Sequence, residues 1–167
     1  MDEVKRILGI DPGLRITGYG VVEDRLGRPA LCEAGVIRIE DKKSLSLAER
    51  VHSLYSELVE VLAQFEPGAV AVEQLYAHYQ HPRTAILMGH ARGVILLAAA
   101  QRGLPVVSYG ATRIKKTITG NGRASKEQVQ RTIAGEFGLA KAPEPADVSD
   151  ALAVALCHYH LQRRPGA

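Results

Sequence analysis

The sequence predicts one α/β domain in which helices pack on a mixed β-sheet. Its 167 residues are 46% hydrophobic and 23% charged, as in a compact globular domain. Short apolar runs alternate with longer segments of helical periodicity, which is typical of an α/β chain. No internal repeat, low-complexity tract or long linker divides the sequence, so the domain is expected to span residues 1–167.

The first forty residues are expected to form an antiparallel meander of three strands. Arg6–Ile10 is a short apolar run that ends sharply at Asp11, because Pro and Gly follow it. Thr17–Val22 and Ala34–Ile39 are further β-type segments, and residues 26–29 predict the turn between them. A buried strand therefore leads directly into a carboxylate.

The next segments predict a helix followed by a second buried strand. Apolar residues at helical spacing cover Leu47–Phe65, behind the candidate caps Ser44 and Ser46. Ala69–Val72 is a continuous run of small apolar residues that is too short for a helix, and it leads into Glu73. A second strand thus also ends in a carboxylate.

The helix predicted over Thr84–Arg102 is apolar around much of its circumference, so it needs burial on two sides, against its sheet and against a further surface such as another subunit. The remaining predicted elements are a strand, three helices and a loose tail: Pro105–Tyr109, Arg113–Ile118, Lys126–Phe137, Ala146–Gln162 and 163–167. The last helix is expected to bury one stripe of side chains, namely Val148, Leu152, Ala155 and Tyr159.

Composition and motifs argue against several classes of protein. Two cysteines, Cys32 and Cys157, are too few for a disulfide framework and favour a reducing compartment. Residues 1–25 lack the apolar core of a signal peptide, and no apolar stretch reaches the roughly 18 residues that span a bilayer. A cytoplasmic protein without membrane contact is therefore predicted. The chain also lacks the GxxxxGK[ST] phosphate loop and the HExxH zinc motif.

Positive charge is concentrated in the last third of the chain. Between Gln101 and Ala142 there are eight basic and two acidic residues, although the whole chain carries only +3. Such a block fits a surface that binds a polyanion, and a solvated surface without a ligand fits it equally well. Aromatic residues make up 5% of the chain, which argues against a protein that stacks many single-stranded bases.

Four carboxylates stand where structure alone gives little reason for them. Asp11 and Glu73 each follow a buried strand, and strand ends are where α/β folds usually build ligand sites. Asp147 and Asp150 share one face of the last helix, since they are three residues apart. If these elements are neighbours, repulsion among the carboxylates favours hard divalent cations. Two such ions, about 3.5–4 Å apart, could activate a water and stabilise the leaving 3′ oxygen of a phosphodiester, so a metal-dependent nuclease is the leading hypothesis.

Structural explanations remain open for some of these residues. An Asp before Pro-Gly is a common turn former, and Asp147 suits the positive end of a helix dipole. Glu73 is harder to explain, because Glu is unfavourable in strands. The glycines between Gly9 and Gly20 could cradle nucleotide phosphates, as in actin-like ATPases and sugar kinases. Those proteins close two domains on a nucleotide, and this chain holds only one.

Together the motifs resemble the RuvC family of bacterial Holliday junction resolvases. The match runs in order from about Lys5 to His160 and rests on six segments: Gly9-Ile10-Asp11-Pro12-Gly13, Thr17-Gly18-Tyr19-Gly20, Val72-Glu73-Gln74, Gly89-His90-Ala91-Arg92-Gly93, Arg113-Ile114-Lys115-Lys116 and Asp147-Val148-Ser149-Asp150-Ala151-Leu152-Ala153. The resemblance implies a ribonuclease-H-like fold, with a five-stranded mixed sheet flanked by helices. It also implies a homodimer that resolves four-way DNA junctions by paired symmetric nicks, leaving 5′-phosphate and 3′-hydroxyl ends.

The resemblance further implies roles for individual residues. The catalytic acids, which would bind Mg²⁺ or Mn²⁺, are Asp11, Glu73, Asp147 and Asp150. Lys115 and Lys126 would contact DNA near the scissile phosphate, and Tyr76, where relatives often carry Phe, would stack on a base. The helix Thr84–Arg102 would form the dimer interface. The family also works with the branch-migration proteins RuvA and RuvB in recombination and repair.

Two other interpretations stay open beside the resemblance. One is a ribonuclease-H-like nuclease with another nucleic-acid substrate, because the acids and lysines alone do not specify junctions. The other is a catalytically silent junction-binding protein, which the presence of all four acids disfavours.

Overall fold

A computed structural model describes residues 6–39, 44–75 and 81–164. In chain order, the described residues form these elements: β1 (Arg6–Asp11), β2 (Ile16–Arg25), β3 (Arg28–Arg38), α1 (Leu47–Phe65), β4 (Ala69–Glu73), α2 (Pro82–Gln101), β5 (Val106–Tyr109), α3 (Ala111–Thr119), α4 (Lys126–Glu136) and α5 (Ala146–Gln162). The strands lie in the order β3-β2-β1-β4-β5. The predicted α/β class is therefore confirmed.

The sheet is mixed, and its two halves differ in strand direction. β1, β2 and β3 form the predicted antiparallel meander, whereas β4 is parallel to β1 and β5 is parallel to β4. Parallel neighbours require crossover connections, which α1 and α2 supply. As a result, β1 and β4 end at the same edge of the sheet.

The hairpin between β2 and β3 is longer than predicted. The two strands pair as far as Arg25 and Arg28, and the turn between them consists of Leu26 and Gly27, both with positive φ. We expected the third strand to begin at Ala34, with residues 26–29 in the turn before it. β3 is an edge strand, where a proline costs no ladder hydrogen bond, so pairing continues past Pro29.

Helix α1 begins and ends at clear local signals. Ser46 is its N-cap in a reciprocal capping box, in which Ser46 Oγ accepts from the Glu49 backbone N–H at 3.2 Å and Glu49 Oε2 accepts from the Ser46 N–H at 2.7 Å. The other candidate, Ser44, does not cap the helix. The helix ends at Glu66, whose φ of 45° is left-handed, directly before Pro67.

Helices cover both faces of the sheet. α1 and α2 pack on one face, together with Leu8 and Ile10 of β1. α5 packs on the other face beneath α3 and α4. α5 is buried on almost all sides between Val148 and Tyr159, whereas we predicted a single buried stripe. The difference arises because α5 is enclosed between the sheet and two further helices.

Helix α2 carries apolar side chains that the described chain does not cover. Ala91, Val94, Ile95 and Ala98 are buried against α1 and the sheet, but Ile86, Leu96 and Leu97 are 62%, 42% and 53% exposed. By length and composition alone this helix could cross a membrane, with a mean hydropathy of 1.3. The expectation that no segment is long and apolar enough is therefore wrong for α2, although a single helix of this kind is a weak indication.

The first residue after α5, Arg163, is held in place by contacts with two other segments of the chain. The Arg163 guanidinium donates to the Asp24 carboxylate near the β2–β3 turn and lies 5.3 Å from the centre of the Tyr159 ring. We expected a loose tail from residue 163 onward, so this contact corrects its start. Residues 165–167 lie outside the described part of the chain.

Candidate active site

Asp11 and Glu73 lie side by side at the carboxyl edge of the sheet. In the parallel pair of β1 and β4, Ile10 is opposite Val72, and Asp11 and Glu73 are the residues that follow. Side chains alternate along a strand, so both acids share the face on which Ala71 packs, the face that α5 covers. Two separate strands thus bring two carboxylates to one point.

Gly18 allows the start of α5 to approach this point. It is the cross-strand neighbour of Asp11 on β2. A methyl group built on Gly18 would lie 2.1 Å from the backbone oxygen of Asp147 and 2.9 Å from its Cβ. Asp147 therefore rests directly against the strand beside Asp11, and Asp150 follows one helical turn later.

Two more glycines continue this contact along α5. Methyl groups built on Gly9 and Gly20 would lie 2.0 Å from the Ala151 oxygen and 2.4 Å from a methyl carbon of Leu152. These two glycines pair across β1 and β2. The helix therefore covers Gly9, Gly18 and Gly20, three of the glycines that were considered as a phosphate cradle, and the role of these three is packing. Sequence reasoning missed this role, although closely spaced strand glycines signal a close backbone approach.

The environment of Asp11 disfavours its ionised form. Burial, followed by the negative charges of Asp150, Asp147 and Glu73, raises the pKa of Asp11 to about 7, against the opposing effect of Lys126. Burial and the charge of Asp150 also raise the pKa of Glu73, although Lys115 and Lys126 oppose the change. The carboxylates are close enough to interact, and their accumulated negative charge calls for a cation.

Two lysines line a small cavity together with two of the acids. Lys126 Nζ lies 3.3 Å from Asp150 Oδ2, in a partly exposed ion pair. The cavity has a volume of about 230 Å³, and its lining includes Glu73, Asp150, Lys115 and Lys126. Ser125 caps α4 in a second capping box, which fixes the first turn that carries Lys126. The site therefore combines carboxylates with two ammonium groups.

A second, larger groove lies on the other side of α3. Its volume is about 960 Å³, and Arg113, Lys116 and Arg164 contribute to its lining. The Arg113 guanidinium lies 5.8 Å from the centre of the Tyr109 ring. Gln74 lines this groove and Glu73 lines the smaller cavity, so both spaces lie beside the end of β4.

Comparison with known proteins gives a consistent match over nearly the whole chain. The family model described as crossover junction endodeoxyribonuclease RuvC matches residues 7–158. A protein of that name from Rhodopirellula baltica is 52% identical over 159 residues, which cover 95% of this chain and 88% of the relative. The chain belongs to the RuvC family.

A second relative and a solved structure agree with this membership. The RuvC protein of Pelotomaculum thermopropionicum is 47% identical, and the match covers 92% of each chain. The structure of Thermus thermophilus RuvC in complex with a Holliday junction substrate superimposes with a TM-score of 0.88 at 36% identity, covering 95% of each chain. The fold of this chain is therefore the ribonuclease-H-like fold that the resemblance implied.

The acids fit the divalent cation that the RuvC resemblance implies. All four offer hard oxygen ligands, and burial together with the charges of the other three acids raises the pKa of Asp11. Within the described residues, no three His, Cys, Asp or Glu side chains are arranged to hold a metal ion as they stand. Asp150 is instead paired with Lys126, which neutralises part of the charge. The oxygen donors of the four acids suit Mg²⁺ or Mn²⁺.

One predicted site residue of this RuvC family member has no structural account. Tyr76 lies outside the described residues, so its stacking role stays a prediction. His158 is buried, and its two ring nitrogens form hydrogen bonds with Tyr109 Oη and Gln162 Nε2, each at 2.7 Å. It belongs to the core beneath α3.

Proposed function

We propose that this chain is a metal-dependent endonuclease that resolves four-way DNA junctions by paired symmetric nicks, in recombination and repair. The observation that carries the proposal is the joint position of Asp11, Glu73, Asp147 and Asp150 at one sheet edge, opposite two lysines. The likeness to Thermus thermophilus RuvC, whose structure contains a Holliday junction substrate, supports the choice of junctions over other nucleic acids.

The four acids are proposed to hold Mg²⁺ or Mn²⁺, two ions for each site. When bound, these ions would supply an activated water and stabilise the leaving 3′ oxygen, leaving 5′-phosphate and 3′-hydroxyl ends. The protein's own contribution is to bring the carboxylates together. It keeps Asp11 in a partly buried position, where its negative charge is costly until a cation neutralises it.

Lys115 and Lys126 are proposed to bind the DNA backbone beside the acids. Both side chains line the cavity with Glu73 and Asp150, so a phosphate there would meet ammonium groups beside the carboxylates. Arg113, Lys116 and Arg164 extend the positive charge around α3. These phosphate contacts would make junction binding depend strongly on salt.

We propose that the active form is a C2 homodimer built on α2. Ile86, Leu96 and Leu97 form an exposed apolar stripe. A methyl group built on Gly89 or Gly93 would meet no atom of another described segment within 4 Å, so a second helix could approach there. A C2 dimer presents two identical sites to two strands of like polarity, which suits paired nicks.

The family resemblance and the sequence support three further proposals. The partners are RuvA and RuvB, the location is cytoplasmic, and residues 1–167 form a single nuclease domain.

The test is a cleavage assay on a synthetic four-way junction, with linear duplex of the same sequence as the control substrate. We compare three proteins in Mg²⁺, Mn²⁺ and EDTA: wild type, Glu73→Gln and Glu60→Gln. Glu60→Gln is the matched control, because Glu60 is an exposed acid on α1. We expect symmetric, metal-dependent nicks at the junction from wild type and Glu60→Gln only, with junction binding retained by Glu73→Gln.

Each alternative function predicts a different result in this assay. Equal cutting of duplex or RNA by wild type would identify a nuclease with another substrate. Binding of the junction without cutting under any metal would identify a silent junction-binding protein. Wild-type cutting by Glu73→Gln would remove Glu73 from the catalytic set.

A further inference from the structure

The guanidinium of Arg92 joins helix α2 to the ends of two strands. Arg92 Nη1 donates to the backbone oxygen of Glu73 at 2.7 Å, and Nη2 donates to Ser108 Oγ at 2.5 Å. Ser108 lies on β5, opposite Val72 of β4. A single planar fork therefore ties the last residue of β4 to its neighbouring strand and to the helix behind the sheet.

These contacts reach the backbone of Glu73 from the face of the sheet opposite its carboxylate. The Glu73 carboxylate shares the α5 face with Asp11, whereas α2 packs on the opposite face of the sheet. Arg92 consequently holds the Glu73 backbone without meeting its carboxylate. The other backbone bond at this point is that of the Gln74 N–H to the Tyr109 oxygen, at 2.9 Å. Arg92 thus adds a bond where the strand pairing ends.

The charge of Arg92 is not used in an ion pair among the described residues. Its acceptors there are a carbonyl and a hydroxyl, both neutral. Burial lowers the pKa of Arg92, because a half-buried cation loses hydration without gaining an opposite charge. A neutral side chain would avoid that cost. What distinguishes Arg at this position is its rigid pair of donors, which reach two strands at once.

We propose that Arg92 is a positioning residue for catalysis, which fixes the direction of the Glu73 carboxylate by clamping the ends of β4 and β5. This inference rests on the proposed function, because it assigns Glu73 to the cleavage site. A reacting group displaced by about 1 Å can lose on the order of 100-fold in rate. Arg92 would therefore affect the cleavage step far more than junction binding.

The test compares Arg92→Gln, Arg92→Lys and Arg92→Ala with a matched control on the same helix. The control is Arg102→Gln, which removes a guanidinium contact to the Val59 carbonyl, at 3.4 Å, at the far end of α2. Single-turnover cleavage is measured with enzyme saturating over the junction, and junction affinity is measured in EDTA. Thermal unfolding and particle mass are followed for each variant.

We expect Arg92→Gln to cleave about 30- to 100-fold more slowly than wild type, with junction affinity within about threefold and the same particle mass. Arg92→Lys, whose donors all lie on one nitrogen and cannot span the two acceptors as the guanidinium does, should be intermediate. Guanidinium ion at millimolar concentration should partly restore cleavage to Arg92→Ala, and urea at the same concentration should not. Arg102→Gln should cleave as wild type does.

Several results would overturn the inference. Cleavage by Arg92→Gln within threefold of wild type would do so, as would equal losses in Arg92→Gln and Arg102→Gln. A structural role only would be shown by three results together. The loss of cleavage would be explained wholly by unfolding, guanidinium would not restore cleavage to Arg92→Ala, and Arg92→Lys would cleave at the normal rate. If wild type itself fails to nick junctions, the proposed function fails and the inference fails with it, whereas normal wild-type nicking with active Arg92→Gln rejects the inference alone.

Discussion

Replacing Asp11 with Asn is expected to stabilise the metal-free protein at alkaline pH while abolishing junction cleavage. Burial and the charges of Asp150, Asp147 and Glu73 raise the pKa of Asp11 from 3.8 to about 7. Each pKa unit corresponds to about 1.36 kcal/mol, so ionised Asp11 lowers the free energy of unfolding by at most about 4 kcal/mol above pH 7. Asn has nearly the same shape and carries no charge. In a chain of this length, each kcal/mol shifts Tm by about 2–4 °C.

The sign of the effect follows from proton binding to Asp11. Below about pH 4, Asp11 is protonated in both the folded and the unfolded chain, so wild type and Asp11→Asn should be similarly stable. As the pH rises from about 4 to 7, the unfolded chain has lost this proton and the folded chain retains it. The wild-type free energy of unfolding then decreases with pH. The advantage of Asp11→Asn should therefore grow through this window and level off above it.

The assay is urea unfolding in EDTA at several pH values between about 4 and 8, where carboxylates of raised pKa titrate. Asp24→Asn is the matched control, because it removes an acid that is paired with Arg163 and should lower stability at neutral pH. Added Mg²⁺ should stabilise wild type more than Asp11→Asn. The reasoning is refuted if Asp11→Asn is no more stable than wild type at high pH, or if its advantage does not change with pH.

Three further predictions concern packing, DNA contacts and assembly. Gly18→Ala should push back the start of α5 and cost about 1–3 kcal/mol in urea unfolding, with a larger loss of cleavage. Gly135→Ala should be tolerated, because its added methyl group would meet no atom of another described segment within 4 Å. Lys126→Ala should weaken junction binding and lower the slope of log Kd against log salt by about 0.9, and Lys141→Ala should leave that slope unchanged. Leu97→Glu should give monomers in sedimentation, and dimers at wild-type affinity would place the interface elsewhere.

The fold and the position of two acids could be predicted because both depend on local signals. Apolar runs that end in Asp11 and Glu73 mark strand ends, and parallel neighbours bring their carboxyl ends to one edge. The helix caps Ser46 and Ser125 are also local, since a Ser and a Glu or Gln three residues later form each box.

Features that depend on distant contacts were less accessible. The Arg92 clamp cannot be found from spacing, because it joins segments far apart in the chain. The strand glycines signal a close backbone approach, but their spacing does not say that α5 makes it. The exposed stripe on α2 could be anticipated only as excess apolar surface. β3 begins at Arg28 and not at Ala34 as predicted. The sequence does not show that a strand can include Pro29, because this depends on the strand's place at the edge of the sheet.

The central position of β1 explains how four acids from distant parts of the chain reach one place. Each acid depends on a different contact: parallel pairing of β1 and β4 places Glu73, the gap left by Gly18 places Asp147, and one turn of α5 then places Asp150. Asp11 takes part in the first two of these relations through its own strand. A substitution that disturbs one contact should therefore move one or two acids and leave the others in place. Loss of cleavage with retained junction binding is the expected signature of each.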